Sequence, residues 1–153
     1  MTRPTALALA AGAVMMLLPA CSRDSPAAPS PTGPSQARIS VTASAPLLAF
    51  SPRPGFAFRI TVPATITESA GLGANIDFVR LQQMFRGVAV ERSEISAVDL
   101  IAATGSNRLD ANSTRNINLI YDVNDGRATS GILTFGFTDD RGNPQAADFD
   151  VSY

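Results

Sequence analysis

Apolar and polar positions alternate with a period of two through most of the chain from residue 38 onward. Ile39, Val41 and Ala43 alternate with Arg38, Ser40 and Thr42. A Pro-rich bend follows at Ser51-Pro52-Arg53-Pro54-Gly55, and then Phe56, Phe58, Ile60 and Val62 alternate, with Arg59 and Thr61 facing the other way. A period of two is the mark of half-buried strands. Pro63 lacks the N–H that a ladder needs, so this strand is predicted to bulge there or to lie at a sheet edge. Gly71-Leu72-Gly73 marks a turn. Ile76, Phe78 and Arg80 then alternate with Asp77, Val79 and Leu81, and large apolar groups in both phases predict a strand covered on both faces.

The last third repeats the pattern. Ile117, Leu119, Tyr121 and Val123 form one apolar row, Leu133, Phe135 and Phe137 another, and Phe149, Val151 and Tyr153 the last. Asn124-Asp125-Gly126 punctuates the first gap. Asp139-Asp140-Arg141-Gly142-Asn143-Pro144 reads as a hairpin loop, with Gly142 at positive φ. Between residues 84 and 105 the pattern is less regular. Residues 94–103 fit either a strand or a short helix; as a helix, Ser93 would be the N-cap and Gly105 the stop. About seven short strands in residues 38–153 predict a mostly β fold, an antiparallel two-sheet sandwich. Its predicted core is Ile39, Val41, Phe58, Ile60, Ile76, Phe78, Ile117, Leu119, Tyr121, Leu133, Phe135, Phe137, Phe149 and Val151, and Phe56 at strand spacing reads as core as well.

The first 37 residues follow another rule. Arg3 is the only charge before residue 23, and residues 5–18 are apolar and rich in Ala. That is the charged start and short apolar run of a secretory signal. The run is shorter than the roughly 20 residues a membrane-spanning helix needs, and Pro19 ends it. Residues 22–37 hold four Pro, no aromatic and no aliphatic larger than Ala. Such a segment is predicted to stay extended, and at ~3.1 Å per residue it reaches about 50 Å.

Leu18-Pro19-Ala20-Cys21 places an aliphatic residue, a small residue and then the single Cys of the chain at the end of this apolar run. It resembles the lipobox of bacterial lipoproteins. The resemblance implies that residues 1–20 are a signal peptide, and that Cys21 is joined to diacylglycerol through its sulfur. Cleavage before Cys21 and acylation of the new amine, by palmitate or a similar chain, would follow. Two or three acyl chains hold a protein at a membrane where one does so marginally. Ser22 rather than Asp follows the Cys, which by the sorting rule of such lipoproteins implies the outer membrane in a Gram-negative envelope.

Three stretches carry a second resemblance: Phe58-Arg59-Ile60-Thr61-Val62 with Glu68 and Gly71, Gly105-Ser106-Asn107-Arg108-Leu109, and Thr138-Asp139-Asp140-Arg141-Gly142-Asn143. Together they resemble the immunoglobulin-like or fibronectin-like sandwich modules of uncharacterised bacterial surface lipoproteins. Unlike antibody-type domains, the chain has no Trp and no second Cys for a core disulfide.

Composition narrows the chemistry. The 153 residues hold 12 basic and 13 acidic side chains, a formal net charge of −1. All the bases are Arg, scattered singly, so no basic patch for nucleic acid is expected. There is no His and no Lys. Histidine-, lysine- and zinc-dependent hydrolysis is therefore closed to this chain, and paired carboxylates are the main enzymatic route left. Asp148 and Asp150 flank Phe149 on a strand and read as a solvated face. Asp122, Asn124 and Asp125 before Gly126, and Asp139, Asp140 and Asn143 around Gly142, lack the alternating spacing of a calcium loop and read as turn chemistry. Asn112-Ser113-Thr114 matches a glycosylation sequon without meaning in a bacterial lipoprotein. These readings give a non-enzymatic, lipid-anchored envelope protein with no metal or cofactor. Its binding or structural module would face the membrane through the lipid on Cys21, and other envelope proteins or polysaccharide through loops and sheet edges. The alternatives are a carboxylate-based or calcium-dependent carbohydrate-active domain and a small-ligand carrier.

Overall fold

The structure, a computed structural model, describes residues 33–153. The predicted signal peptide, Cys21 and residues 22–32 of the tether lie outside the described residues. The elements are β1 (Ile39–Ala43), β2 (Leu47–Phe50), β3 (Phe58–Glu68), β4 (Ala74–Phe85), β5 (Val88–Ser96), α1 (Ala97–Thr104), β6 (Arg108–Leu109), β7 (Thr114–Val123), β8 (Ser130–Asp139) and β9 (Pro144–Ser152).

All strand pairings are antiparallel, and they form two sheets. In the first sheet β3 is central, with β7 along one side. Along its other side β1 pairs with residues 64–68 and β2 with residues 58–61, so the two share one lane end to end. In the second sheet β5 and β6 share a lane beside β4, followed by β8 and β9. Three lanes face four in an antiparallel two-sheet sandwich, as the turn spacing predicts.

Inner positions of both sheets form one core, in which Val62, Ile66, Val79, Leu81, Leu133 and Phe135 have no exposed surface. Burying each such side chain contributes about 1.5–3 kcal/mol. Phe135 stacks on Phe137 at 5.9 Å and meets Phe149 edge-on at 6.2 Å. Ten of the fourteen predicted core residues are buried; Ile39, Phe58 and Phe149 are partly buried against them.

Phe78 is the exception. The pairing of β4 with β8 shifts register between Ile76 and Phe78. This bulge inserts one residue and reverses the phase, so Val79 and Leu81 turn inward and Phe78 turns outward. On that outer face Phe78 lies over Gly136, where any Cβ would collide with its ring, and under Arg80, whose guanidinium is 4.7 Å from the ring centre. The strand is therefore not buried on both faces; it changes face once. Phe56 also stays outside the core, under Arg53 at 5.1 Å.

Pro63 causes neither a bulge nor an edge. It pairs with Asn118 in the middle of the sheet. Its carbonyl accepts from the Ser44 N–H at 2.9 Å, so its missing N–H faces the β1/β2 lane at the gap between those strands. The lane is split where no donor is available.

The helix begins at Ala97, three residues later than a Ser93 cap would place it. Ser96 caps it: its Oγ accepts from the Asp99 N–H at 3.3 Å, and the Asp99 carboxylate accepts from the Ser96 N–H at 3.2 Å. Ser93 has Ser96 three residues on, which cannot return that bond as well as Asp99 does. Gly105 ends the helix at φ 82°, as predicted. None of the described helices is long and apolar enough to cross a membrane.

Candidate functional site

The predicted turn acids separate into two groups. Asp139, at the end of β8, is 4 % exposed and organises the hairpin loop. Its oxygens accept from the N–H of Arg141 and Asn143, both at 2.9 Å, from Asn143 Nδ2 and, across the sequence, from the Ala37 N–H at 3.1 Å. Burial pushes this carboxyl up, but the Asn143, Ala37 and Arg141 donors outweigh burial and bring it down to about 2. Gly142 sits at φ 82° in the same loop. Asp140 pairs outward with Arg108.

Glu68 lies at the end of β3. It is 1 % exposed and accepts four backbone N–H bonds: Arg38 at 3.1 Å, Ala70 at 2.8 Å, Gly71 at 3.0 Å and Asn112 at 2.9 Å. Burial raises this carboxyl, and the four donors lower it further, so it lies below the usual glutamate value. The adjacent amides of Ala37 and Arg38 thus donate to carboxylates on opposite sheets. Ala37 is itself 6 % exposed, and Ser35 accepts from Asn143, so residues 35–37, read as free tether, pack on the domain. The carboxylates supply acceptors that the Pro/Ser composition does not reveal.

Asp125 is held to about 2 by the Arg127 guanidinium and N–H. Asp122 lies below its usual value, paired with Arg59 at 2.9 Å and accepting from Ser51. Asp148 and Asp150 are exposed on β9. Among the described residues no three His, Cys, Asp or Glu side chains converge on a metal position.

A groove of about 470 Å³ lies between β7 of one sheet and β5 with α1 of the other. Ile95, Leu100 and Phe56 give it apolar walls, and Arg53, Glu94 and Asp122 give it charges. Asp99 at its margin is committed to capping α1. Tyr121 reaches beneath it to the Val79 carbonyl at 3.3 Å, and burial pushes its phenol up, which keeps it neutral.

β7 has a free side along this groove. Pro63 turns its carbonyl away from β7, so its partner Asn118 turns its own N–H and C=O away from β3. Alternation gives Asn116, Ile120 and Asp122 the same orientation. Among the described residues no backbone partner meets these groups.

Neither a family model nor a curated protein matches the chain. Among solved structures, an X-ray structure of a Northeast Structural Genomics Consortium target is similar at 13 % identity, with 76 % of this chain and 86 % of that chain covered and a TM-score of 0.45. A crystal structure described as the candidate ApaA protein of Bordetella pertussis is similar at 12 % identity, with 76 % and 94 % covered and a TM-score of 0.48.

Proposed function

We propose that the protein is a lipid-anchored envelope protein whose sandwich is a binding module for an extended polypeptide segment, added as a strand along β7. The observation that carries the binding half is the row of outward N–H and C=O groups from Asn116 to Asp122 beside a groove of mixed polarity. Strand addition uses main-chain hydrogen bonds for affinity and neighbouring pockets for side-chain selection. The anchoring half rests on the lipobox-like Leu18-Pro19-Ala20-Cys21 and the Pro/Ser tract after it. The absence of His and Lys supports a role without catalysis.

One experiment tests both halves. The full chain is produced in a bacterial envelope with a photocrosslinking residue at Ile120, labelled with a fatty acid and fractionated. Label and membrane retention are expected, and both are expected to vanish in Cys21→Ala. A crosslinked partner protein is expected, and Asn118→Pro should reduce it at least tenfold. That substitution removes the outward N–H opposite Pro63 and the Asn118 side chain from the groove wall, and leaves the β3–β7 ladder bonds in place. An unlabelled soluble chain would overturn the anchor, and a partner indifferent to Asn118→Pro would overturn strand addition.

A further inference from the structure

The outermost strands differ in how they face water. β5 carries Glu91, Arg92 and Glu94, and β9 carries Asp148 and Asp150. Such groups are the ordinary means of keeping an edge from pairing with another chain. β2 is Leu47-Leu48-Ala49-Phe50 and has no polar side chain. All four residues are exposed, Leu47 by 65 %, Leu48 by 52 % and Phe50 by 85 %.

The exposure is unusual because Leu48 and Phe50 lie in the core phase. Their cross-strand partners are Ile60, 1 % exposed, and Phe58, which packs on the core. Phe50 continues the core outward by stacking on Phe58 at 6.0 Å. The backbone is equally open. Pro63 fixes the odd residues of β3 toward the β1/β2 lane, so Leu47 and Ala49 bond to Thr61 and Arg59. Leu48 and Phe50 therefore turn their N–H and C=O outward. Behind Leu48, Gln83 is 2 % exposed and its Oε1 has no partner among the described residues.

We propose that β2 is a self-pairing edge, at which a second copy of this chain adds its own β2 antiparallel. Only outward residues can exchange bonds, which places Leu48 opposite Phe50 of the second copy, and Phe50 opposite its Leu48. The twofold axis then passes between the two Ala49 residues, the smallest side chain of the strand. Four backbone hydrogen bonds form, and each Leu covers a Phe ring. No like charges meet, because β2 has none and the flanking Arg59 is already paired with Asp122. Leu47, Leu48 and Phe50 offer roughly 300–400 Å² per copy, taking ~150–250 Å² for a large side chain. Two copies bury less than the ~1,200 Å² of a stable interface, so the pair is weak in dilute solution. It forms where copies are concentrated, as they are when tethered to one surface. That last condition rests on the anchoring proposed above; the edge geometry does not.

The test uses the full chain in the envelope, with Ala49→Cys and a mild thiol oxidant. Facing residues of a non-hydrogen-bonded pair have Cα atoms about 4.5 Å apart, within disulfide reach. Ala49→Cys is expected to give at least tenfold more linked dimer than Asp150→Cys on β9 or the unsubstituted chain. Adding Leu48→Glu should remove this excess. Adding Phe50→Lys to that variant should restore it, because each Glu then faces a Lys of the other copy. Equal dimer at residues 49 and 150, failure of the charge pair to restore it, or linkage of residue 49 to a different protein would each overturn the proposal. Membrane retention, read in the same samples, reports separately on the anchor.

Discussion

The two ends of the β1/β2 lane solve the problem of a sheet margin in opposite ways. At the β1 end the chain arrives with two consecutive amides, and each is met by a buried carboxylate, Asp139 for Ala37 and Glu68 for Arg38. At the β2 end, core-phase apolar side chains and unpaired backbone groups are left in water. The first end is satisfied within one copy. The second is complete only with a partner. A single lane thus separates holding the fold from offering a surface, and Pro63 stands at the join.

The largest contrast is between two phenylalanines. Phe135 is fully buried and Phe50 is 85 % exposed. Phe135→Ala is expected to cost about 3–5 kcal/mol, much of the 5–15 kcal/mol of a typical domain, and Phe50→Ala less than about 0.5 kcal/mol. Urea unfolding of the full chain measures both. Comparable losses would mean that β2 is covered in the monomer, and the contrast would collapse.

A smaller effect probes the satisfied end. Glu68→Gln keeps the shape but replaces one acceptor oxygen by a donor, which then faces backbone N–H groups. A loss of about 2–3 kcal/mol is expected in the same measurement, since buried donors without an acceptor cost about 1–3 kcal/mol each. A neutral result would show that water reaches these amides.

The smallest effect is in pH. Asp139 sits at about 2 against an ordinary 3.8, and Glu68 lies below its ordinary 4.5. A carboxyl lowered by folding stabilises fully above its unfolded value, and that contribution fades as pH falls through the folded one. Stability should therefore decline from about pH 4.5 toward pH 2. Asp139→Asn, less stable at pH 6, should show a shallower decline. An unchanged slope would place the acid sensitivity elsewhere.

How far the sequence discloses all this depends on the period. β3, β7 and β8 are readable because one face is buried and alternation survives along their length. β4 misleads because a single inserted residue at its bulge moves Phe78 out and Val79 in. β2 has no alternation to read, since Leu-Leu-Ala-Phe is apolar throughout. A cap at Ser93 starts the helix too early because Ser93 and Ser96 both suit a cap, and only the Asp three residues beyond Ser96 decides between them. Glu68 and Asp139 were legible as acids near turns but not as clamps. Their donors come from 30, 44 and 102 residues away, beyond any local pattern.

The clamp also has a mechanical meaning. The chain enters β1 at Arg38 and runs along β3, with Ile39 beside Glu68 and Ala43 beside Ala64. A pull on residue 33, directed outward along the strand axis, reaches the Ala37 and Arg38 amides before it reaches the ladder. It then meets five paired residues of β1 in shear, where bonds must fail together, rather than in a zipper, where they fail one at a time. Tension applied there is borne by this end of the first sheet, while β2, beyond the split at Pro63, is kept out of the line of force.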